Sequence, residues 1–409
     1  MATETSTVDA PTRAAPPSTP RIDFNHIISR PRDEQYKIGA EFAKNLPIFY
    51  SEAHGGTFYV NSYDLVKKIL LDTEHFSNLD GVSEPGHKFD FNVVPSQADP
   101  PDHGRYRNAL QVFLKPTAIK KHEALVRDII VKSLEEILTN KGGEVIKQFA
   151  MHVPLGVAAA VLGYSEQEIH RLHDAFEVML EGSLALDKEK QMRGRDDFLA
   201  VMFDAYDRFL GRLDDDGMLA QVINYEKDGD RFTREEALGL MSALTIGSMD
   251  TTKHSITNTI YLLAMFPEAR EELLQDRSLI PAAVEESLRL ESVSYFNART
   301  VIKPITIGGV DLRPGNRLVM SYAWANRDDK EFDNPTRFDL HRKRNHHFGF
   351  GHGVHSCLGM HLARLELRVA IEEILDRMPG YQLVAPVPDP KSFGSVIYGF
   401  ENLYIRIPD

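Results

Sequence analysis

The sequence predicts a mainly α-helical protein with a minor β part, built as one large domain. Three observations predict it. An apolar helical period runs almost unbroken from 103 to 290, a second long one covers 358–378, and short β-branched or aromatic runs lie between glycine and proline turns. The chain has 409 residues, 42% apolar and 26% charged, a globular balance that excludes a disordered or fibrous protein. A chain of this length buries about three quarters of its unfolded surface and needs no staples. Its single cysteine excludes an internal disulfide. Lys and Arg total 47 against 60 for Asp and Glu, a net charge of −13, which speaks against nucleic acid or anionic membranes as partners. The expectation is a soluble, cytoplasmic protein.

Residues 1–20 are rich in Ala, Thr and Pro and contain no apolar run, so they predict a disordered tail, not a signal peptide or membrane anchor. Residues 48–60 (IFYSEAHGGTFYV) predict two short strands around a Gly-Gly turn, and 62–70 a helix capped by Ser62. Residues 78–102 carry Gly, Pro, Asp and Ser without a period and form one long loop, a length that usually marks a lid or binding loop. Phe89, Phe91 and Val94 within it either tack the loop to the core or face a ligand. Helices follow at about 103–114, 117–140, 165–181, 190–213, 234–265, 268–275 and 281–290, with the apolar run 151–163 as a buried helix. Strands are expected at 297–301, 305–307 and 317–321, a last helix at 358–378, and a closing hairpin at 396–407.

Residues 348–359 read FGFGHGVHSCLG, with Cys357 where a glycine-dense loop gives way to a helical period. Glycines at this density mean a sharp bend or a backbone passing close to something flat. A cysteine beside a helix N-terminus has free N–H groups to stabilise its thiolate, which is a nucleophile or a soft metal ligand. A lone cysteine is otherwise a buried inert thiol, and the glycine context favours the reactive alternative. Zinc lacks the further ligands it needs here.

Phe350, Gly353, His355, Cys357 and Gly359 together resemble the haem-binding signature of cytochromes P-450, F-x-x-G-x-[RH]-x-C-x-G, at all five defined positions. The resemblance implies the cytochrome P-450 fold over 21–409 and haem b (iron protoporphyrin IX). It makes Cys357 the thiolate ligand of the iron, whose electron density favours O–O cleavage. It sets Phe350, Gly351 and Gly359 against the haem, with His355 at a propionate. Further motifs follow the family's order. The DPP of ADPPDHGRYR (98–107) precedes His103 and Arg107, four apart on one helical face, and Arg299 matches another propionate contact. Glu286 and Arg289 match the E-x-x-R pair, with Arg337 as the implied third member of its bracing network.

Residues 241–252 (MSALTIGSMDTT) match the family's oxygen-activating motif, which makes Asp250 the proton relay and Thr251 the organiser of bound oxygen. Ser248 departs from the family's usual glycine, and Glu291–Ser294 lack the proline of many relatives. The implied substrate pocket is Phe89, Phe91, Val94, Ala243, Gly247, Tyr295, Phe296, Val396 and Ile397, an apolar set suited to a small hydrophobic compound, aromatic or terpenoid. The implied reaction inserts one atom of O2 into that substrate, by hydroxylation or oxidative dealkylation. Electrons come from NAD(P)H through a separate ferredoxin and ferredoxin reductase. Arg342, Lys343, Arg344, Arg364, Arg368, Lys115, Lys120 and Lys121 are the expected basic patch for that partner. The alternatives are a peroxide-driven peroxygenase of the same fold and a non-catalytic haem sensor or electron carrier.

Overall fold

The longest element, the central helix Arg234–Met265, is buried around its whole circumference and forms the axis of the helical core. It begins where a sequence signal places it. The Thr233 hydroxyl accepts the Glu236 N–H at 3.2 Å while the Glu236 carboxylate accepts the Thr233 N–H at 2.8 Å, a capping box. The computed structural model describes residues 15–408 except 17, 85–88, 186, 214–216, 394 and 395.

Around the central helix pack His152–Leu162, Glu166–Leu184, Lys188–Phe209, Ile280–Leu290 and Met360–Arg377, whose apolar faces make one continuous core. The minor β part is a five-stranded sheet in the order Ile48–Ser51, Thr57–Val60, Arg317–Ser321, Phe296–Val301, Phe76–Ser77. Its register sets Val319 opposite Ala298 and Tyr59, so the sheet's two faces feed two aromatic-rich clusters.

Local chemistry explains where the structure departs from the sequence reading. Ser62 precedes helix Tyr63–Leu71 but makes no side-chain cap; the Asp328 carboxylate, 265 residues away in sequence, accepts the Tyr63 N–H at 2.9 Å. The helix expected at 117–140 is divided into Pro116–Ile119, a tight turn at Lys120–His122, and Glu123–Thr139. Residues 396–407 do not pair with one another. Ile397–Gly399 pairs with Lys391–Phe393, whereas Tyr404–Arg406 joins Gly142–Glu144 and Gln382–Leu383. Helix Arg32–Asn45 has no counterpart among the expected elements; the indole of Trp324 lies where a Cβ at Gly39 would stand. Of the tail expected over 1–20, residues 1–14 and 17 lie outside the described residues, while Thr19 is buried and the Pro20 carbonyl accepts the Tyr50 N–H at 2.9 Å. Among the described residues, no helix is long and apolar enough to cross a membrane.

Candidate active site

A cavity of about 330 Å³ lies between the central helix, the Cys357 loop and the long loop before Asp102. The Cys357 loop folds back on itself, with the Cys357 N–H donating to the Phe350 carbonyl at 2.8 Å. Gly353 makes that fold possible. Its φ is +72°, and a Cβ there would stand 2.6 Å from the Leu70 carbonyl oxygen. Cys357 is exposed to the cavity that it lines. Burial pushes its thiol up, and this outweighs the Gly359 and Met360 N–H groups and the nearby Arg107 and Arg364, which favour the thiolate. The N–H groups at the helix terminus thus act in the expected direction but have the smaller effect.

His103, Arg107, Arg299 and His355 converge on one corner of the cavity. The His103 and His355 rings meet edge to face at 4.4 Å. Arg107 is aimed by hydrogen bonds to the Ser356 carbonyl (2.8 Å) and hydroxyl (3.2 Å), and Arg299 by donation to Asn297 Oδ1 (2.8 Å) and the Ala298 carbonyl (2.7 Å). Burial, with Arg299, His103 and Arg107 close by, pushes His355 down to about 3. His103 is lowered by burial and by Arg107.

Behind the cysteine loop, Glu286 and Arg289 form a fully buried ion pair, with Nη2–Oε1 at 2.7 Å and Nε–Oε2 at 2.8 Å. Arg289 also donates to the carbonyls of Asn326, Pro335 and Arg337. The third side chain of this brace is Arg342, whose Nε lies 3.1 Å from both Glu286 oxygens. Arg337, expected in that role, is exposed and contributes its backbone carbonyl instead.

On the central helix, Ala243, Gly247, Ser248, Thr251, Thr252 and Ser255 line the cavity. Thr251 Oγ1 donates to the Gly247 carbonyl at 3.0 Å. Asp250 turns away from the cavity. Its Oδ1 lies 2.7 Å from Lys253 Nζ and 3.3 Å from His173 Nε2. Burial would raise the Asp250 carboxyl, but His173 and Lys253 outweigh it and hold it well below the usual carboxylate range.

A family model described as Cytochrome P450 matches residues 164–379. The chain is 30% identical over 365 residues to the biotin biosynthesis cytochrome P450 of Bacillus subtilis, covering 84% of this chain and 92% of that protein. It is 32% identical over 297 residues to mycinamicin IV hydroxylase/epoxidase of Micromonospora griseorubida, covering 70% and 73%. The crystal structure of P450BioI in complex with an acyl carrier protein ligated to hexadec-9Z-enoic acid superimposes with a TM-score of 0.82 at 27% identity, over 91% of this chain and 98% of that one.

The chain belongs to the cytochrome P450 family.

It is a P450 monooxygenase, and the cavity of this P450 fits the haem its family carries. Four donor groups gather in one corner, and the buried Nε2 of His103 has no hydrogen-bond partner among the described residues. Asp99, a carboxylate close enough to act on His103 and Arg299, is already engaged by the Ser77 hydroxyl and the Asn78 N–H. The corner therefore suits the carboxylates of a ligand. Cys357, with Phe350, Gly351 and Gly359 around it, supplies a soft ligand beside a glycine-lined wall. Bound there, haem supplies the oxygen-activating chemistry.

The residues of the expected substrate pocket fall in different places. Ala243 and Gly247 line the cavity of the P450, but the other seven residues are not among its described lining. Tyr295 and Phe296 lie in the aromatic cluster under the sheet, where the Trp324 indole N–H donates to the Tyr295 hydroxyl at 3.0 Å. Phe89 and Phe91 stack on each other, with Phe89 against Phe198, and Val94 packs beside Gly239. Val396 and Ile397 serve the strand edge, where the Tyr295 N–H donates to the Val396 carbonyl and Ile397 bridges Ser294. Each is apolar enough for either place, so composition could not separate core from cavity. The neighbours that do line it are Val82, Pro95, Ser96, Val293, Ser294 and Asn297.

Proposed function

We propose that this P450 carries haem b on Cys357 and hydroxylates, or oxidatively dealkylates, a compact hydrophobic substrate with electrons from NAD(P)H delivered by a ferredoxin and its reductase. One observation carries the reading: Cys357 and, on the central helix, Gly247, Ser248 and Thr251 line the same cavity. In this reading Cys357 holds the iron, and His103, Arg107, Arg299 and His355 take the propionates. Thr251 orients oxygen with its hydroxyl, and Ala243, Leu244, Val82, Pro95 and Val293 shape the substrate end. The apolar character of that end supports a hydrophobic substrate. Outside the propionate corner and the Cys357 loop, the described lining offers no cation to anchor a carboxylate.

The partner surface is smaller than the expected patch. Arg342, Arg364 and Arg368 are engaged by Glu286, Glu285 and Glu123 respectively. That leaves Lys115, Lys120, Lys121, Lys343 and Arg344, all exposed, as the basic side chains for an acidic ferredoxin.

The reading is tested with Thr251→Ala in NADPH-driven turnover on a compound that shifts the ferric spin state. The expected result is continued NADPH consumption with product per NADPH down by ~10-fold or more, at the low end of what a positioned proton-transfer group contributes. Full coupling in that variant overturns it.

A further inference from the structure

Neighbouring residues on a helix face about 100° apart, so the two adjoining glutamates of helix Ile280–Leu290 serve different partners. Glu286 turns to Arg289 and Arg342, the brace described above. Glu285 has no part in that brace. Its carboxylate meets the Arg364 guanidinium fork-on, with Nε donating to Oε1 at 2.7 Å and Nη2 to Oε2 at 2.8 Å. Oε2 also lies 3.2 Å from His347 Nε2. The other ring nitrogen, Nδ1, accepts the Gly349 N–H at 3.0 Å, so Nε2 carries the hydrogen and donates to Glu285.

These contacts join the two ends of the cysteine loop. His347 stands just before it, and Arg364 follows Cys357 by seven residues, on helix Met360–Arg377. Arg364 lies over the Phe350 ring, its guanidinium carbon 4.7 Å from the ring centre. The Phe350 carbonyl in turn accepts the Cys357 N–H at 2.8 Å. Glu285 thereby fixes the cation that lies on the ring beside Cys357.

Burial would raise the Glu285 carboxyl, but Arg364 and His347 outweigh it and hold it down to about 2, so the pair is charged at neutral pH. It is partly buried, where charges are screened less than on an open surface. Arg107 and Arg364 both favour the Cys357 thiolate. Arg107 is bonded to Ser356 and, in the functional reading above, has a propionate to neutralise it. Arg364 has Glu285.

A cation beside the ligand of an iron favours the reduced metal, and an anion opposes it. Charge and hydrogen bonding around the ligand are among the levers that set a haem potential. We propose that Glu285 is a positioning residue that sets the reduction potential of the haem iron, by seating Arg364 on the Phe350 ring and cancelling its charge beside Cys357. The iron then accepts an electron less readily, and the thiolate keeps more of the electron density that it lends to O–O cleavage. The inference rests on Cys357 as the iron ligand.

The purified, haem-loaded protein is titrated with dithionite and redox mediators, without turnover. The ferric–ferrous midpoint is compared in the natural chain, Glu285→Gln, Arg364→Gln and the double variant. Glu285→Gln leaves an uncancelled positive charge and should move the reduction equilibrium ~10-fold toward ferrous, about 59 mV for one electron. Arg364→Gln leaves an uncancelled negative charge and should move it by a similar factor toward ferric. The double variant has neither charge and should return to within ~2-fold of the natural chain. A merely structural role gives shifts of one sign that grow when combined. Such shifts, or midpoints indifferent to both substitutions, overturn the proposal.

Glu285→Asp and Arg364→Lys keep both charges, and they carry the test if a glutamine variant does not retain haem. Each should stay within ~2-fold of the natural chain, and a shift of ~10-fold in either overturns the charge balance. Carbon monoxide spectra of every sample separate the two claims. A natural chain without the thiolate Soret band removes the reading of Cys357 on which Glu285 depends. A natural chain with that band, and a midpoint that Glu285→Gln leaves unmoved, removes Glu285 alone.

Discussion

At the scale of single residues, the two acids of the site are opposites made by their surroundings. Asp250 and Glu366 are equally buried, but one has Lys253 and His173 against it, whereas Oε2 of the other has no hydrogen-bond partner among the described residues. The first is therefore held charged and the second uncharged. Lys253 is itself 4% exposed, so Asp250→Asn strands a buried ammonium. We expect that variant to lose about 3 kcal/mol or more in urea unfolding, the cost of breaking a buried pair from one side. An unchanged midpoint and slope would mean that Glu177 alone satisfies Lys253. The sequence made both acids visible as polar interruptions of apolar helices. Glu366 stands four residues after Leu362 and four before Ala370, on an apolar stripe, and that signal could have singled it out. Nothing in the sequence told which way either side chain points.

At the scale of elements, the brace behind the cysteine loop shows which part of a motif is local. Glu286 and Arg289 are one helical turn apart, so their pairing is readable from spacing. The third member is not, because it arrives on an irregular segment whose path is set by Arg289 gripping three backbone carbonyls. Arg337 and Arg342 both lie on that segment, and only Arg342 turns inward. Arg342→Ala should cost about 3–5 kcal/mol and weaken haem retention, since it leaves the Glu286 charge short of a partner. Arg337→Ala should stay within about 0.5 kcal/mol, as for other exposed side chains. Denaturation of the two variants side by side checks this, and equal losses would restore Arg337 to the brace. The same division holds across the fold. The long helices were legible because a period of 3.6 is a local property. The cap on Tyr63–Leu71, the partners of the last strands and the seat of Trp324 over Gly39 were not, because each depends on residues far away in sequence.

At the scale of the whole molecule, a chain of net charge −13 must present local positive charge if an acidic electron donor is to dock. Ion pairing removes three of the eight basic candidates, a fact composition could not show. Lys343→Glu with Arg344→Glu should slow ferredoxin-driven reduction at low ionic strength by ~10-fold, and the difference should shrink as added salt screens it. Stopped-flow reduction at two salt concentrations measures this, and equal rates at low salt would remove these residues from the docking surface.

The central claim is that Cys357 holds haem iron through its sulfur, in the cavity that Thr251 and Glu366 share. The optical spectrum of the reduced protein with carbon monoxide tests it most directly. A strongly red-shifted Soret band is the result expected of a thiolate ligand. A histidine-type band, or no haem band at all, would contradict it.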